Sequence, residues 1–156
     1  MIVVVDTSPL IALDRIGYLY ILKELFGAVI RPQSVADELI AGRRIYGGSS
    51  ELFDADWIEN HADPAEIIFR KELGAGETAA IILAKKLNAD LVLLDDLAAR
   101  NVATQLGLSV SGTLGILLAA HKKGRLPDLK SALSTLTDCG FRLSDDLRRT
   151  ILKQQE

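Results

Sequence analysis

The chain has 156 residues and a formal net charge of −3, and about half of its residues are apolar while few are aromatic. This length suits one compact domain over residues 1–156, with a core of Leu, Ile, Val and Ala. The negative charge argues against an overall basic nucleic-acid binder, although a local basic patch could still serve. Cys139 is the only cysteine, which excludes an intramolecular disulfide and a thiolate metal cluster.

The cellular location is predicted from two absences in the sequence. No segment reaches the ~18 consecutive apolar residues that a membrane-spanning helix needs. The N-terminus enters an apolar run without a basic leader, so no signal peptide is apparent. We therefore expect a cytoplasmic protein that does not contact a membrane.

The chain opens with a strand that ends at an acid. Residues 2–5 form a β-branched run typical of a strand buried on both faces, and Asp6 follows directly. Pro9 fits the first position of a helix. Apolar residues at helical spacing then continue from Leu10 to Phe26, with Gly17 as a natural break.

The next segment predicts a strand, a helix and a loose region. Residues 28–30 are a short apolar run that Pro32 ends. Ser34 is a candidate cap for a helix that runs through Leu39. Residues 42–56 carry several glycines and serines, so they are predicted to form a loop.

The rest of the chain alternates strands with helices. Strands are predicted at residues 57–59, 91–94 and 108–110, and helices at 64–73, 77–87, 97–106, 113–123, 128–137 and 145–154. Gly74 and Gly76 are expected to stop the first of these helices. This alternation implies an α/β fold with a mostly parallel sheet covered by helices on both faces.

Acidic residues follow both of the strands that are predicted to be fully buried. Asp6 ends the first strand, and Asp95 and Asp96 follow residues 91–94. The carboxyl ends of parallel strands share one edge of a sheet, where open α/β folds place ligands. These acids are therefore expected at a functional edge.

Two further acids lie on predicted helices. Glu77 opens its helix and shares an apolar stripe with Ala80 and Ile81, in a first turn where the helix dipole favours negative charge. Glu38 lies three residues after Val35, at the border of another apolar stripe. Both carboxylates are therefore predicted to point toward the core side of their helices.

A divalent metal ion is the simplest partner for these acids. Inward carboxylates need a counter-charge, and no Lys or Arg occurs at the matching strand ends. Oxygen ligands favour Mg²⁺ or Mn²⁺ over Zn²⁺. Each acid also has a purely structural interpretation as a helix cap or dipole partner, so it is the joint pattern that indicates a site.

Basic residues that could hold nucleic acid occur in two places. Arg43 and Arg44 follow Glu38 in the predicted glycine-rich loop, and Lys122 and Lys123 lie near the end of a predicted helix. Phosphate contacts supply most sequence-independent affinity, so a few such residues suffice. The alternative for the lysines is compensation of the helix dipole.

Four more side chains have more than one interpretation. Arg100 lies one turn past Asp96 and could pair with it. Tyr46, Phe53 and Trp57 are the aromatic residues nearest the basic loop that could stack on bases, although core or interface roles are favoured for them.

The order and spacing of the acids resemble those of the PIN-domain nucleases. Residues 73–81, Leu-Gly-Ala-Gly-Glu-Thr-Ala-Ala-Ile, look like the GExxAI signature of a prokaryotic, VapC-like subgroup of that family. The segments 94–100 and 112–117 are similar to two further motifs of this subgroup, and the resemblance runs from residue 2 to about residue 152.

This resemblance implies a fold and an activity. The fold would be an α/β/α sandwich with a central, mostly parallel sheet of four to five strands. The activity would be Mg²⁺- or Mn²⁺-dependent hydrolysis of RNA phosphodiester bonds. VapC-like relatives are toxins held by an antitoxin, so the resemblance also implies a separate antitoxin chain, and a homodimer is expected.

The family's site residues transfer by position. The catalytic acids would be Asp6, Glu38, Glu77 and Asp96, and the metal ligands Asp6, Asp96, Glu77 and, as an alternative to Asp96, Asp95. Ser8 and Thr113 match small hydroxyl positions that line the site. Glu77 stands where most members have Asp, so both direct and water-mediated metal contact are open.

Other classes fit less well. A haloacid-dehalogenase-type phosphatase needs a second Asp two residues after the first, and Ser8 occupies that position. A receiver domain needs an early acidic pair and a late lysine, and neither is present. The main alternative is a non-catalytic PIN-like domain that binds nucleic acid or protein around a degenerate metal site.

Overall fold

The computed structural model describes residues 1–65, 73–142, 149 and 151–153. Within these residues the strands are β1 (Val3–Val5), β2 (Val29–Pro32), β3 (Ile58–His61), β4 (Leu91–Leu93) and β5 (Val110–Ser111). They form one sheet in the order β3-β2-β1-β4-β5, with every neighbouring pair parallel. The predicted α/β class with a parallel sheet of four to five strands is confirmed.

Helices connect the strands. The described helices are α1 (Thr7–Arg15), α2 (Tyr20–Phe26), α3 (Gln33–Tyr46), α4 (Ser50–Asp54), α5 (Ala75–Lys86), α6 (Leu97–Gln105), α7 (Thr113–Lys122) and α8 (Leu129–Asp138). The helices predicted at 64–73 and 145–154 lie mainly outside the described residues. None of the described helices has the length and apolar character needed to cross a membrane.

The alternation of β1 explains why the sheet has helices on both faces. Val3 and Val5 pack in a large cluster with α1, α2, α7 and α8, whereas Val4 packs in a second cluster with α5 and α6. Successive strand residues point to opposite faces, so an all-valine strand needs a cover on each side. The result is the predicted three-layer arrangement.

The strand order creates a crevice between β1 and β4. The chain adds β2 and β3 on one side of β1, and then returns to add β4 and β5 on the other. Open α/β sheets bind ligands outside the carboxyl ends of the strands at such a reversal. The Asp6 backbone N–H donates to the Leu93 carbonyl at 3.1 Å, so Asp6 lies where β1 and β4 end together.

Helix α1 begins two residues earlier than predicted. Asp6 occupies the N-cap position and Thr7 is the first helical residue, so Pro9 is the third and not the first. Proline is tolerated there because the first four N–H groups of a helix have no intrahelical acceptor. As a consequence, one short segment carries both the strand-ending acid and the start of a helix.

Helix α3 is longer than predicted and is capped differently. It runs to Tyr46, and Gly47 ends it with φ +72°. Ser34 donates its backbone N–H at 2.9 Å and its hydroxyl to Asp63, so it is not the N-cap. The prediction that residues 42–56 form a loop was wrong, because α3 and α4 occupy most of that segment.

Two other boundaries differ from the prediction. Strand β5 covers Val110–Ser111, two residues later than its predicted start. Helix α5 begins at Ala75, so Gly76 lies in its first turn and does not stop a preceding helix. The reason for a glycine at that position is found in the site.

Candidate functional site

Asp6 is a buried carboxylate with an unused oxygen. Its side chain is 3 % exposed, and its Oδ1 has no hydrogen-bond partner. The pKa of Asp6 is raised from 3.8 to about 7, mainly by burial and also by the nearby acids Glu77, Glu38 and Asp95, while a hydrogen bond from the Thr7 backbone N–H lowers it. The group is therefore poised to take up a proton or a cation near neutral pH.

Glu77 is the second acid with an unused oxygen. It lies in the first turn of α5, where its Oε1 accepts a long hydrogen bond of 3.4 Å from the Gly74 backbone N–H. Its Oε2 is buried without a partner. Burial raises the pKa of Glu77, and the neighbouring Asp96 carboxylate adds to this. We call Asp6 and Glu77 the open acids.

Glu38 is held on both of its oxygens. The Thr7 hydroxyl donates to Oε2 at 2.6 Å, and the Gly76 backbone N–H donates to Oε1 at 2.9 Å. A Cβ on Gly76 would lie 2.7 Å from Oε1, so a side chain there would have to displace the Glu38 carboxylate from its hydrogen bonds. Glu38 thus ties together the first turns of α1 and α5 from its position on α3.

Asp95 is held in the same way on the other side of the crevice. The Thr113 backbone N–H donates to Oδ1 and the Thr113 hydroxyl donates to Oδ2, each at 2.7 Å. A Cβ on Gly112 would lie 2.7 Å from Oδ1. Glu38 and Asp95 therefore share a pattern of one backbone N–H, one threonine hydroxyl and one glycine, and we call them the anchored acids.

Asp96 has both a structural contact and a free side. It is the N-cap of α6, and its Oδ2 accepts from the Ala99 backbone N–H at 3.0 Å. The side chain is exposed and close enough to Glu77 to raise the pKa of that residue. The geometry therefore places Asp96 beside an open acid, whereas Asp95 is anchored to Thr113.

The donor set suits a hard divalent cation. Two buried carboxylate oxygens lack partners, and like charges surround them, so a cation would relieve both desolvation and repulsion. In residues 1–65 and 73–142, no three acidic, His or Cys side chains converge closely enough to hold an ion as they stand. Without a cation, mutual repulsion keeps carboxylates apart.

Arg100 approaches the edge beside Asp95. Its Nη1 lies 3.1 Å from the point where a Cβ of Gly112 would be, the same point that Asp95 Oδ1 approaches. Asp96 was the partner that the sequence suggested for this guanidinium, and the described geometry places it near Asp95.

The predicted substrate residues have different placements. Thr113 is fully buried and serves Asp95, whereas Ser8 is exposed on α1. Arg43 and Arg44 lie in the last turn of α3, and the Arg43 guanidinium lies over the Phe53 ring at 4.3 Å from its centroid.

The structure separates Lys122 and Lys123 from the acids. Lys122 ends α7, nine residues after Thr113, which corresponds to roughly 14 Å along a helix axis. Both lysines are exposed. They face solvent at the far end of the helix whose first residue holds Asp95.

Sequence analysis missed the residues that position the acids. Thr7 and Gly76 hold Glu38, and neither was singled out for that role, although Gly76 is the glycine of the GExxAI motif. Arg31 was also missed: it is 3 % exposed on β2 and donates from Nε to Asn60 Oδ1 and from Nη1 to the Leu52 carbonyl, each at 2.6 Å. It fixes α4 against the sheet.

A cavity adjoins the acids. It has a volume of about 360 Å³ and lies between α1, α3 and α4, with Thr7 and Glu38 at one end and Arg15 and Tyr46 in its lining. A smaller cavity of about 210 Å³ shares Ser8 and Arg15 with it. We call the larger one the α1–α3 cavity.

Comparison with known proteins gives a family and a fold. The model of a family described as PIN domain matches residues 2–156. A PilT N-terminus domain protein from the hyperthermophilic archaeon Sulfolobus solfataricus P2 superposes with a TM-score of 0.57 at 18 % identity, covering 77 % of this chain and 93 % of that one. No curated protein sequence gave a significant match.

Proposed function

Because this chain belongs to the PIN-domain family, whose members are generally nucleases that use divalent metal ions, we propose that it is a Mg²⁺- or Mn²⁺-dependent ribonuclease. It would hydrolyse phosphodiester bonds in RNA at the crevice between β1 and β4. Membership in the family supports a nuclease activity. The dependence on metal and the choice of RNA as substrate are what we propose in addition.

The observation that carries the proposal is the state of Asp6. A carboxylate with a pKa near 7 and a buried oxygen without a donor is unfavourable for stability alone. Such perturbed groups concentrate at functional sites, where a ligand compensates them. Three further acids around Asp6 strengthen the case for a cation over a neutral ligand.

The residues divide the chemical tasks. Asp6 and Glu77, with the free side of Asp96, would hold the ion, which supplies a Lewis acid for the phosphate and activates water. Where Glu77 meets the ion through a water, its carboxylate would orient that water for attack. The anchored acids Glu38 and Asp95 keep the open acids in place and the local potential negative.

The likeness of residues 73–81 to VapC-like proteins supports a more specific biological proposal. The protein would be the toxin of a toxin–antitoxin pair, with a separate antitoxin chain as partner and a homodimer as its assembly. Light scattering of the purified chain tests the dimer, and co-purification with the product of a neighbouring gene tests the antitoxin. A monomer with no co-purifying chain would contradict this extension.

A cleavage assay tests the central proposal. Wild type, Asp6→Asn and Asp96→Asn are incubated with a panel of single-stranded and structured RNAs in Mg²⁺, Mn²⁺ or EDTA. The matched control is Asp128→Asn, because Asp128 is an exposed helix N-cap on α8 and Asn caps as well as Asp. We expect metal-dependent cleavage by wild type and the control, and its loss in the other two variants.

Two outcomes would overturn the proposal. Equal cleavage by all four proteins would point to a contaminating nuclease. Binding of RNA without metal-dependent cleavage by wild type would favour the non-catalytic alternative, in which the acids form a degenerate metal site.

A further inference from the structure

The α1–α3 cavity is continuous with the acidic crevice. Thr7 and Glu38 belong to its lining and are also joined to each other by a hydrogen bond of 2.6 Å. A molecule in this cavity would therefore touch the anchored acid Glu38, and its neighbouring atoms would reach toward Asp6. Its volume of about 360 Å³ falls at the lower end of the range for small-molecule sites.

The walls of the cavity change character along its length. The acidic end carries Glu38, the middle is lined by the aliphatic side chains of Ile11, Leu39 and Leu52, and the far end carries Tyr46, Arg15 and Asp14, whose carboxylate accepts from the backbone N–H and the hydroxyl of Ser49. Tyr46 is 52 % exposed, and the Arg15 guanidinium lies 5.9 Å from the centroid of its ring. An apolar slot that ends in an aromatic ring and a cation suits a flat heteroaromatic group.

The position of the Tyr46 ring is set by the helix beneath it. A Cβ on Gly42 would lie 3.0 Å from Tyr46 Cδ2, so the ring rests against the glycine backbone. Glu38 and Tyr46 are eight residues apart on α3, or roughly 12 Å along the axis. The cavity thus has a fixed aromatic wall at a fixed distance from the acids.

Positive charge lies at the aromatic end. Arg15 ends α1 at this end of the cavity, whereas Arg44 lies on the face of α3 opposite the lining positions 38, 39, 42 and 46. An extended nucleic-acid strand has a phosphate on each side of every base. A strand with one phosphate at the open acids would therefore bring the next base to the cavity and a further phosphate toward Arg15.

We propose that the α1–α3 cavity is a nucleotide subsite that takes the base next to the scissile phosphate, with Tyr46 as its stacking platform and Arg15 as its phosphate contact. This inference rests on the proposed nuclease function and adds where the substrate lies. The base is read by shape and stacking, so the subsite tolerates several bases and disfavours strands held in a duplex.

Binding in EDTA separates this inference from catalysis. A fluorescein-labelled single-stranded oligoribonucleotide is titrated with wild type, Tyr46→Ala and Tyr20→Ala, and anisotropy gives each dissociation constant. Tyr20 is the matched control, since it is 41 % exposed and lies on α2, outside the lining of this cavity. We expect Tyr46→Ala to bind about 5- to 10-fold more weakly, a factor typical of losing a stacked base, and Tyr20→Ala to bind like wild type.

A second set of oligonucleotides makes the test specific for a base. In a series that lacks one base at each position in turn, the effect of Tyr46→Ala should vanish for one position and persist for the others. Unchanged affinity in Tyr46→Ala, an equal loss in Tyr20→Ala, or an effect independent of the missing base would each overturn the subsite.

The remaining outcomes are equally decisive. A change in oligomeric state in Tyr46→Ala without a change in oligonucleotide affinity would assign the cavity to a second copy of the chain and overturn the inference. Base-dependent binding without any metal-dependent cleavage would retain the subsite while rejecting the nuclease. Metal-dependent cleavage by wild type together with unaltered binding in Tyr46→Ala would retain the nuclease and reject the subsite.

Discussion

Asp6 shows how a single residue trades stability for binding capacity. Its carboxyl group has a pKa of about 7 in the folded chain and an ordinary value of 3.8. Above pH 7 the folded protein carries a negative charge on Asp6 that burial disfavours, and without a cation no partner of Oδ1 compensates that charge. The residue therefore destabilises the metal-free protein under the conditions in which it is most ready to bind a cation.

The first prediction concerns the pH dependence of Asp6→Asn. Between pH 3.8 and about 7 the folded state binds more protons at Asp6 than the unfolded state, so the free energy of unfolding falls as pH rises. Because the pKa differs by about three units between the two states, the free energy of unfolding that Asp6 removes above pH 7 is at most about 4 kcal/mol. In EDTA, Asp6→Asn should melt several degrees above wild type at pH 8, and the difference should shrink toward pH 4.5.

Thermal denaturation from pH 4.5 to 8.5 measures this difference. A constant difference across the range would contradict the raised pKa. Repeating the series with Mg²⁺ or Mn²⁺ should raise the melting temperature of wild type and leave that of Asp6→Asn unchanged, because only the folded wild type binds the ion.

The second prediction uses the glycine under Glu38. In a helix, alanine is normally favoured over glycine by about 1 kcal/mol. Gly76→Ala should instead destabilise the protein, because the new Cβ would meet the Glu38 carboxylate at 2.7 Å. In the double variant Gly76→Ala/Glu38→Ala the added methyl should be tolerated. Urea denaturation of wild type, the two single variants Gly76→Ala and Glu38→Ala, and the double variant should therefore give strongly non-additive free energies of unfolding. Additive effects would show that the glycine serves another purpose.

At the scale of elements, the site is built from helix starts. α1, α5, α6 and α7 each begin at the carboxyl edge of the sheet, and their caps or first two residues include Asp6, Gly76, Asp96 and Thr113. Helix N-termini carry unpaired N–H groups and a partial positive charge. Four such ends therefore offset part of the repulsion among the acids and let them gather at one place.

The third prediction separates the two roles of Asp96. Asn and Asp cap helices equally well, whereas Ala loses about 1 kcal/mol. Asp96→Asn should keep the stability of wild type and lose metal-dependent cleavage, while Asp96→Ala should lose both. Denaturant melts and cleavage rates on the same preparations provide the comparison. Full activity in Asp96→Asn would shift the ligand role to Asp95.

At the scale of the whole molecule, the positive charges are divided between two ends. Arg44 lies on the helix that carries Glu38, whereas Lys123 follows the end of α7, far from Thr113. If RNA crosses the acidic edge, only the first of these basic groups lies along its path. The overall charge of −3 then matters less than which side chains border the crevice.

The fourth prediction compares these two cations. Arg44→Gln should weaken RNA binding and lower the slope of log affinity against log salt by about 1, because one phosphate contact is lost. Lys123→Gln should leave both quantities near their wild-type values. Binding isotherms at four salt concentrations distinguish the variants, and the opposite ranking would move the RNA path to the end of α7.

Part of this molecule could be predicted from its sequence because the signals are local. An all-valine strand needs a cover on both faces, and an acid directly after it must lie at the sheet edge, so β1 and Asp6 followed from neighbouring residues. Glu77, Glu38 and Asp95 lie near enough to raise the pKa of Asp6, and their roles at a metal site stay predictions. The extent of α3 was not predicted, because Gly42 looked like the beginning of a loop and the helix continues through it to Tyr46. Its start is held by Asp63, 29 residues from Ser34.

The anchoring of the acids was equally beyond local signals. Nothing near Glu38 in the sequence indicates that its oxygens bind Thr7 and Gly76, and the same motif glycine looked like a helix stop. The buried Arg31 has the same cause, since its acceptors lie on α4 and β3. Contacts between distant segments decide these placements.

The anchoring of Glu38 also has a consequence for how the fold forms. Its two hydrogen bonds span 31 and 38 positions of the chain, so they require α1, α3 and α5 to be docked. We predict that the repulsion among the acids develops only in this docked arrangement, after the main folding barrier. Changes that relieve it should then slow unfolding and leave the folding rate unaltered. The acids would then set the lifetime of the folded molecule, and the buried valines the speed at which it forms.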